Sequence, residues 1–410
     1  MQYKGHHRVQ LLSGGDELFE AMCRAIGQAQ TDVWMATYIF NDDAASWEVA
    51  QALSLAASRG VKVHVLVDGF GSNTTLPALR EWWKSSAVRL EVFRPLDRWW
   101  AWLQPGQLRR MHQKLCTVDG TTAFVGGINI IDDRYDPHHG WSERPRLDFA
   151  VQLQGPVVAD VEQVAQALWT RANLGRGWRE ELALLARSTE PLTKTLQLLR
   201  DLRSGVPRRS LSLDPQSLPA VRAALAVRDN FRQRRAIERI YIEAIGRARH
   251  QVDIACPYFY PGRAFRRSLR RAAARGVKVR LLMQGKIDYR FAALAARVLY
   301  DELLAWGVKV YEYSPAFLHA KVAVVDEDWA TVGSSNIDPL SLLLNLEANV
   351  VIHDDKFVAE LKSRLDQAFG ESNEITAPAL RPGLRGWFSR SLVAWVANTY
   401  LRIAGITGRY

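Results

Sequence analysis

His112-Gln-Lys114-Leu-Cys-Thr-Val-Asp119-Gly-Thr-Thr-Ala-Phe-Val-Gly126-Gly127-Ile-Asn129 and His319-Ala-Lys321-Val-Ala-Val-Val-Asp326-Glu-Asp-Trp-Ala-Thr-Val-Gly333-Ser334-Ser-Asn336 follow one pattern, His-x-Lys-x4-Asp-x6-Gly-(Gly/Ser)-x-Asn. At background usage of about one in twenty per fixed position, recurrence at identical spacing within one chain marks a duplicated unit. Apolar, β-branched runs surround each aspartate, Leu115–Val118 with Ala123–Val125 and Val322–Val325 with Thr331 and Val332, and they predict paired short strands. Alternation along such a strand puts His112 with Lys114, and His319 with Lys321, on a common face. The glycines that follow let a ligand or another backbone approach closely. Asn129 and Asn336 add amide donors, and Ser334 adds a hydroxyl that Gly127 lacks in the first copy.

Two imidazoles, two ammonium groups and two amides around one volume suit a phosphoryl group. One imidazole would attack phosphorus while the other protonates the leaving oxygen and then deprotonates the incoming nucleophile, with Lys114, Lys321, Asn129, Asn336 and Ser334 neutralising the phosphoryl oxygens. The chain has no His-Glu-x-x-His, no Cys-x-x-Cys and no dense carboxylate cluster, so neither a metal nor another cofactor is expected. Asp119 and Asp326 complete the catalytic set by spacing. They also sit beside the turn between strands, where holding that turn through backbone amides is an equally open role.

The motifs resemble those of the phospholipase D superfamily, and the run from Leu318 to Val350 is similar to that of bacterial cardiolipin synthases. The likeness extends over nearly the whole chain, through Arg110-Met-His-Gln-Lys114, Phe124-Val-Gly-Gly-Ile-Asn129, Val227-Arg-Asp-Asn230 and the Trp- and Arg-rich tail, and points to the shorter subgroup without transmembrane helices. The resemblance implies a ping-pong transfer of a phosphatidyl group from one phosphatidylglycerol to another through a phosphohistidine. It assigns His112 as nucleophile and His319 as general acid/base, an order that the symmetry of the two motifs leaves reversible. It also implies an acidic residue beyond each motif that orients the histidine of the opposite half, and Asp148 and Glu347 occupy those places. The same machinery with water as acceptor would be a phospholipase D. A nuclease is a further reading from a different class, and a silent lipid-binding scaffold is disfavoured by two complete motifs.

The repeat extends beyond the motifs. Ala25-Ile-Gly-Gln-Ala-Gln30 recurs as Ala244-Ile-Gly-Arg-Ala-Arg249, and Arg59-Gly-Val-Lys-Val63 as Arg275-Gly-Val-Lys-Val279. Helical and strand patterns alternate in each half, over Leu18–Ala29, Val33–Ile39, Trp47–Ser58 and Val61–Val67 and again from Ile237 to Val279, so the expected class is α/β. The expected architecture is two phospholipase D-like domains, each a mixed β-sheet flanked by helices, packed as a pseudo-twofold pair with one shared active site. Domain boundaries are expected at 1–187 and 218–380, with a Ser-, Pro-, Arg- and Leu-rich linker at 188–217 and a basic amphipathic tail at 381–410. Oligomeric state is left open, since one chain carries both motifs.

A net charge of +11 points to anionic partners. Trp99, Trp100 and Trp102 stand among arginines in an insertion just before His112, an interfacial composition. In the tail Arg381, Arg385, Arg390, Arg402 and Arg409 alternate with Trp387, Phe388, Trp395 and Tyr400. Its longest uncharged run, Ser391–Leu401, is 11 residues, against roughly 20 for a spanning helix, so a helix lying in the interface is expected, with docking on the protein as the alternative. The expected partners are phosphatidylglycerol and an anionic membrane surface, with no nucleic acid. The expected location is the cytoplasmic face of the bacterial cell membrane, peripherally bound, because Met1–Arg8 is polar and no signal peptide is visible. Cys23, Cys116 and Cys256 read as buried free thiols, with Cys116 a packing residue. Removing residues 382–410 is expected to lower sedimentation with anionic vesicles more than it lowers turnover of detergent-dispersed lipid.

Overall fold

The structure, a computed structural model, describes residues 1–96, 109–136, 139–186, 217–229, 233–286, 299–338, 341–342 and 345–376. The tryptophan insertion, the linker up to residue 216 and the tail lie outside the described residues. The chain divides into two compact units. One comprises Met1–Asp132 with Ala150–Leu225, and the other Asp133–Phe149 with the described residues from Ala226 onward.

In the first unit β1 (Arg8–Ser13), α1 (Gly14–Gln28), β2 (Asp32–Thr37), α2 (Ala44–Ser58), β3 (Lys62–Asp68), α3 (Leu76–Trp82) and β4 (Arg89–Phe93) precede the motif hairpin β5 (Leu115–Val118) and β6 (Thr122–Gly126). β9 (Phe149–Gln154) and α4 (Val158–Ala186) follow. The seven strands lie in the order β1-β9-β6-β5-β2-β3-β4. Helical crossovers make β2, β3 and β4 parallel, whereas the short motif turn makes β5 and β6 antiparallel, so the sheet is mixed. α1 buries Leu18, Phe19, Met22 and Ile26, one apolar stripe at helical spacing, in a core with Val33, Val63 and Val65. α2 begins where the Asp43 carboxylate accepts the Ser46 N–H at 2.8 Å.

The second unit repeats this plan. β10 (Arg222–Arg228), α5 (Ala236–Arg247), β11 (Gln251–Ala255), α6 (Arg263–Ala274), β12 (Lys278–Gln284) and β13 (Lys309–Tyr313) lead to the motif hairpin β14 (Val322–Val325) and β15 (Trp329–Gly333). β16 (Glu347–His353), α7 (Asp355–Gly370) and β17 (Asn373–Glu374) complete it, and the sheet order is β10-β16-β15-β14-β11-β12-β13-β17. A separate core gathers Ile237, Val252, Phe265, Leu269, Val279 and Leu303. The unit boundary departs from the one read from the sequence, because residues 133–149, with the ribbon β7 (Tyr135–Asp136) and β8 (Gly140–Trp141), pack with the second unit. Backbone pairing explains the departure, since Leu147 N donates to Phe317 O at 2.8 Å and His319 N donates to Leu147 O at 2.9 Å. Among the described residues no helix is long and apolar enough to cross a membrane.

The two sheets solve one packing problem in opposite ways. Trp34 and His64 face each other across β2 and β3 as stacked rings with centroids 3.8 Å apart. At the matching register of β11 and β12, Arg280 grips Asp253 through two hydrogen bonds of 2.7 Å, and its guanidinium lies 4.2 Å from the Phe369 ring centroid. Asp253 is fully buried and Arg280 only 8% exposed. Loss of one partner of a buried pair strands the other charge, so Asp253→Ala should lower the unfolding free energy by about 3 kcal/mol in denaturant titrations. The partner Asp366, which also binds Arg280, keeps the cost from being larger.

Candidate active site

Both motif hairpins are set by their aspartates. Asp119 and Asp326 have φ of 52° and 53°, the left-handed conformation that turns the chain. The Asp119 carboxylate accepts the N–H groups of Gln30, Thr31 and Asp32 at 2.7 to 3.1 Å. Asp326 accepts those of Arg249, His250 and Gln251 at 2.8 to 3.0 Å. Burial pushes both carboxyls up, and these hydrogen bonds together outweigh it, holding each below the usual carboxylate range. Each aspartate thus sits at the opposite end of its motif strand from the histidine, roughly 23 Å of extended chain away. Of the two roles open to these residues, the turn-holding one is what the hydrogen bonds describe.

His112 and Lys114 lie just before β5, and His319 and Lys321 just before β14, so none of the four is inside the regular strand expected for it. In both copies the ammonium folds back on the histidine backbone. Lys114 Nζ donates to His112 O at 2.8 Å, and Lys321 Nζ donates to His319 O. Lys114 and Lys321 are 6% and 1% exposed, while both histidines are half-buried. In the first unit the Tyr38 ring lies 4.9 Å from the His112 ring and 5.3 Å from Lys114 Nζ. Asn129 Oδ1 accepts the Ile39 N–H at 3.2 Å, tying the end of the motif to the end of β2. The site therefore gathers at the carboxyl ends of the parallel strands, the usual place for a site in such sheets.

In the second unit His319 Nδ1 is 2.6 Å from Asp148 Oδ2, and Asp148 is 2% exposed. A carboxylate on Nδ1 selects the tautomer that leaves Nε2 for chemistry and stabilises an imidazolium when one forms. His319 N and Ala320 N both donate to Leu147 O at 2.9 Å, so the backbones on either side of the pair are joined as well. Ser334 Oγ donates to Glu347 Oε2 at 2.6 Å and accepts the Ala348 N–H at 3.1 Å, with Glu347 fully buried. Asn336 is 9% exposed and stands beside Cys256, whose Sγ accepts the Ile337 N–H at 3.3 Å. Burial pushes the Cys256 thiol up to about 12 and raises that of Cys116 as well. Among the described residues no group of three or more His, Cys, Asp or Glu side chains could hold a metal ion.

Two residues escaped the sequence reading. Asp68, at the end of β3, accepts Met111 N–H at 2.9 Å, and Gln284, at the end of β12, accepts Leu318 N–H at 2.7 Å. Each therefore anchors the residue immediately before a motif histidine. Burial pushes the Asp68 carboxyl up to about 6, opposed by Arg110 and by the amides of Phe70, Met111 and Gly71. The signal for this pair was a polar residue at the same point of both repeats, each closing an apolar strand, but it differs in type between the halves.

With the two units and their motif sites described, the class is a two-domain phospholipase D-like fold. The chain matches the family described as "Cardiolipin synthase, PLD-like domain" over residues 22–141 and 241–369. Cardiolipin synthase B of Escherichia coli strain K12 is 35% identical over 393 residues, covering 95% of this chain and 87% of that protein. Cardiolipin synthase B of Salmonella typhi is 38% identical over 394 residues with the same shares. The crystal structure of phosphatidylserine synthase from Haemophilus influenzae Rd KW20 superposes with a TM-score of 0.65 at 13% identity, covering 96% of this chain and 93% of that one, which supports the fold. This chain belongs to the cardiolipin synthase family of phospholipase D-like proteins.

Burial lowers the Lys321 ammonium to about 8, against Asp148, the Cys256 thiol and Glu347, which raise it. A lysine depressed in this way is charged below that pH and loses its proton as pH rises through it. If Lys321 binds phosphate oxygens, kcat/KM for a phosphodiester substrate should fall above about pH 8, and a pH profile of Lys321→Gln should lack that limb.

Proposed function

We propose that the chain is a cardiolipin synthase that transfers a phosphatidyl group between two molecules of phosphatidylglycerol, releasing glycerol. The observation that carries this reading is the pair of complete His-x-Lys motifs in a chain 35% and 38% identical, over nearly its full length, to cardiolipin synthases B. The reaction uses one histidine from each motif. A ring nitrogen of His112 attacks phosphorus and the bond from phosphorus to the glycerol oxygen breaks. His319, as imidazolium, gives its proton to that oxygen, and glycerol leaves. A phosphohistidine remains. Neutral His319 then takes the proton from a hydroxyl of the second phosphatidylglycerol, whose oxygen attacks phosphorus as the phosphorus–nitrogen bond breaks.

Asp148 supports the acid/base part by holding His319 Nδ1 and stabilising its charged form. Glu347 keeps the corresponding orienting role in this proposal. Lys114, Lys321, Asn129 and Asn336 are proposed to neutralise and orient the phosphoryl oxygens, while Asp119 and Asp326 hold the hairpins that present them. Ser334, expected from the sequence to join them, is buried and gives its hydroxyl proton to Glu347. The protein acts on phospholipid at a membrane surface, and the cytoplasmic face is the proposed side, with no nucleic acid as partner.

The test incubates purified protein with phosphatidylglycerol vesicles and resolves the products. Cardiolipin and glycerol in equimolar amounts are expected, lost in His112→Ala and in His319→Ala, and reduced roughly a hundredfold or more in Asp148→Asn, which keeps the shape but loses the charge. Phosphatidic acid as the sole product would make the protein a hydrolase. Full activity in either histidine variant would overturn the mechanism.

A further inference from the structure

The helix that joins the second and third strands of each repeat differs sharply between the halves. In the first unit this is α2, Ala-Ala-Ser-Trp-Glu-Val-Ala-Gln-Ala-Leu-Ser-Leu-Ala-Ala-Ser, without a single lysine or arginine. In the second it is α6, Arg-Ala-Phe-Arg-Arg-Ser-Leu-Arg-Arg-Ala-Ala-Ala, with five arginines and no carboxylate. Phe265, Ser268, Leu269 and Ala272 face the core, so the exposed side is left to Arg263, Arg267, Arg270 and Arg271. None of these four forms an ion pair among the described residues. The fifth, Arg266, is half-buried and bound to Glu302.

The neighbouring elements do little to cancel this charge. Of the carboxylates around α6, Glu302 is committed to Arg266, Glu238 is 7% exposed with Arg235 at 3.7 Å, and Glu243 alone is exposed on α5. α5 adds the exposed Arg239 and Arg247. A cleft of about 500 Å³ opens beside the helix, where five arginines, Arg235, Arg263, Arg266, Arg267 and Arg270, and Trp306 outnumber the two carboxylates Glu238 and Glu302 in its lining. Arginines whose stems lie on a surface beside a partly buried tryptophan match the headgroup region of a bilayer, where guanidinium groups meet phosphate and indole rings settle. One repeat forms this helix without a basic residue, Glu48 being its one charged side chain, within the same fold, so neither the α/β packing nor the buried face requires the arginines.

We propose that the arginine face of α6 is a docking surface for anionic phospholipid membranes. The choice of partner rests on the lipid reading above, but the surface is distinct from the motif residues and from the tail. Each basic residue near an anionic bilayer strengthens partition roughly fivefold at low ionic strength. The four exposed arginines therefore act together as an electrostatic anchor that salt weakens.

The experiment compares the full chain with a variant carrying Arg263→Gln, Arg267→Gln, Arg270→Gln and Arg271→Gln, and with the corresponding four Arg→Lys changes. Sedimentation with phosphatidylcholine vesicles, with and without phosphatidylglycerol, measures binding, and turnover of phosphatidylglycerol in neutral detergent micelles measures chemistry. The glutamine variant should bind phosphatidylglycerol vesicles at least tenfold more weakly at low salt, and the lysine variant should bind nearly as the parent does. Micellar turnover should be unchanged, which also shows that the variant is folded. Unchanged vesicle binding in the glutamine variant overturns the proposal. So does wild-type protein that ignores vesicles yet binds a single-stranded oligonucleotide through these arginines. Arginine-dependent vesicle binding by a protein that never turns over phosphatidylglycerol would sink the catalytic reading and leave this one standing.

Discussion

An aspartate in left-handed conformation, its carboxylate accepting three backbone N–H groups at the start of a neighbouring strand, is the contact on which each motif depends. Asp119 ties the β5–β6 turn to the entry of β2, and Asp326 ties the β14–β15 turn to the entry of β11. Such an arrangement satisfies amides that no sheet ladder reaches and sets the register of the antiparallel hairpin against the parallel strands. A slip of one residue would turn every side chain of the hairpin to the other face. With the register held, the histidine and lysine emerge at the strand end where Asp68 or Gln284 waits to bind the preceding backbone N–H.

The second constraint is the burial of charge. Lys321 is 1% exposed and Asp148 2%. Groups of this kind are tolerated only when partners are built around them, and those partners confer chemical properties. Asp148 fixes the orientation of the His319 ring through Nδ1, and burial lowers the Lys321 ammonium to about 8. The Trp34–His64 stack and the Asp253–Arg280 pair show the same economy of position, since one register point on two equivalent strands is filled by aromatic packing in one unit and by a buried ion pair in the other.

The two repeats also differ on surfaces that the fold leaves free. Their strand orders agree apart from the added edge strand β17, as do their motif turns and the lysine contacts to the histidine backbone. The crossover helices do not. α2 exposes Trp47 and Leu55, whereas α6 exposes arginines, and a sheet-covering helix fixes only its inner stripe. Outer faces are therefore free to acquire interaction roles, and the proposed membrane contact of α6 uses that freedom.

The amino-acid sequence by itself determined the duplication, the α/β alternation and the identity of the motif residues, because strand and helix periodicity and fixed spacing are local properties that survive without coordinates. It left the aspartates between two roles, and it placed the histidines and lysines inside strands that in fact begin one residue after each lysine. The resemblance had already pointed Asp148 at the histidine of the other motif, and tertiary structure alone decided that residues 133–149 pack within the second unit and that Asp68 and Gln284 anchor the motif entrances. Each of those outcomes joins residues tens to more than a hundred positions apart. Backbone pairing and burial select such contacts, and a one-dimensional pattern carries no record of which polar group will be enclosed beside which.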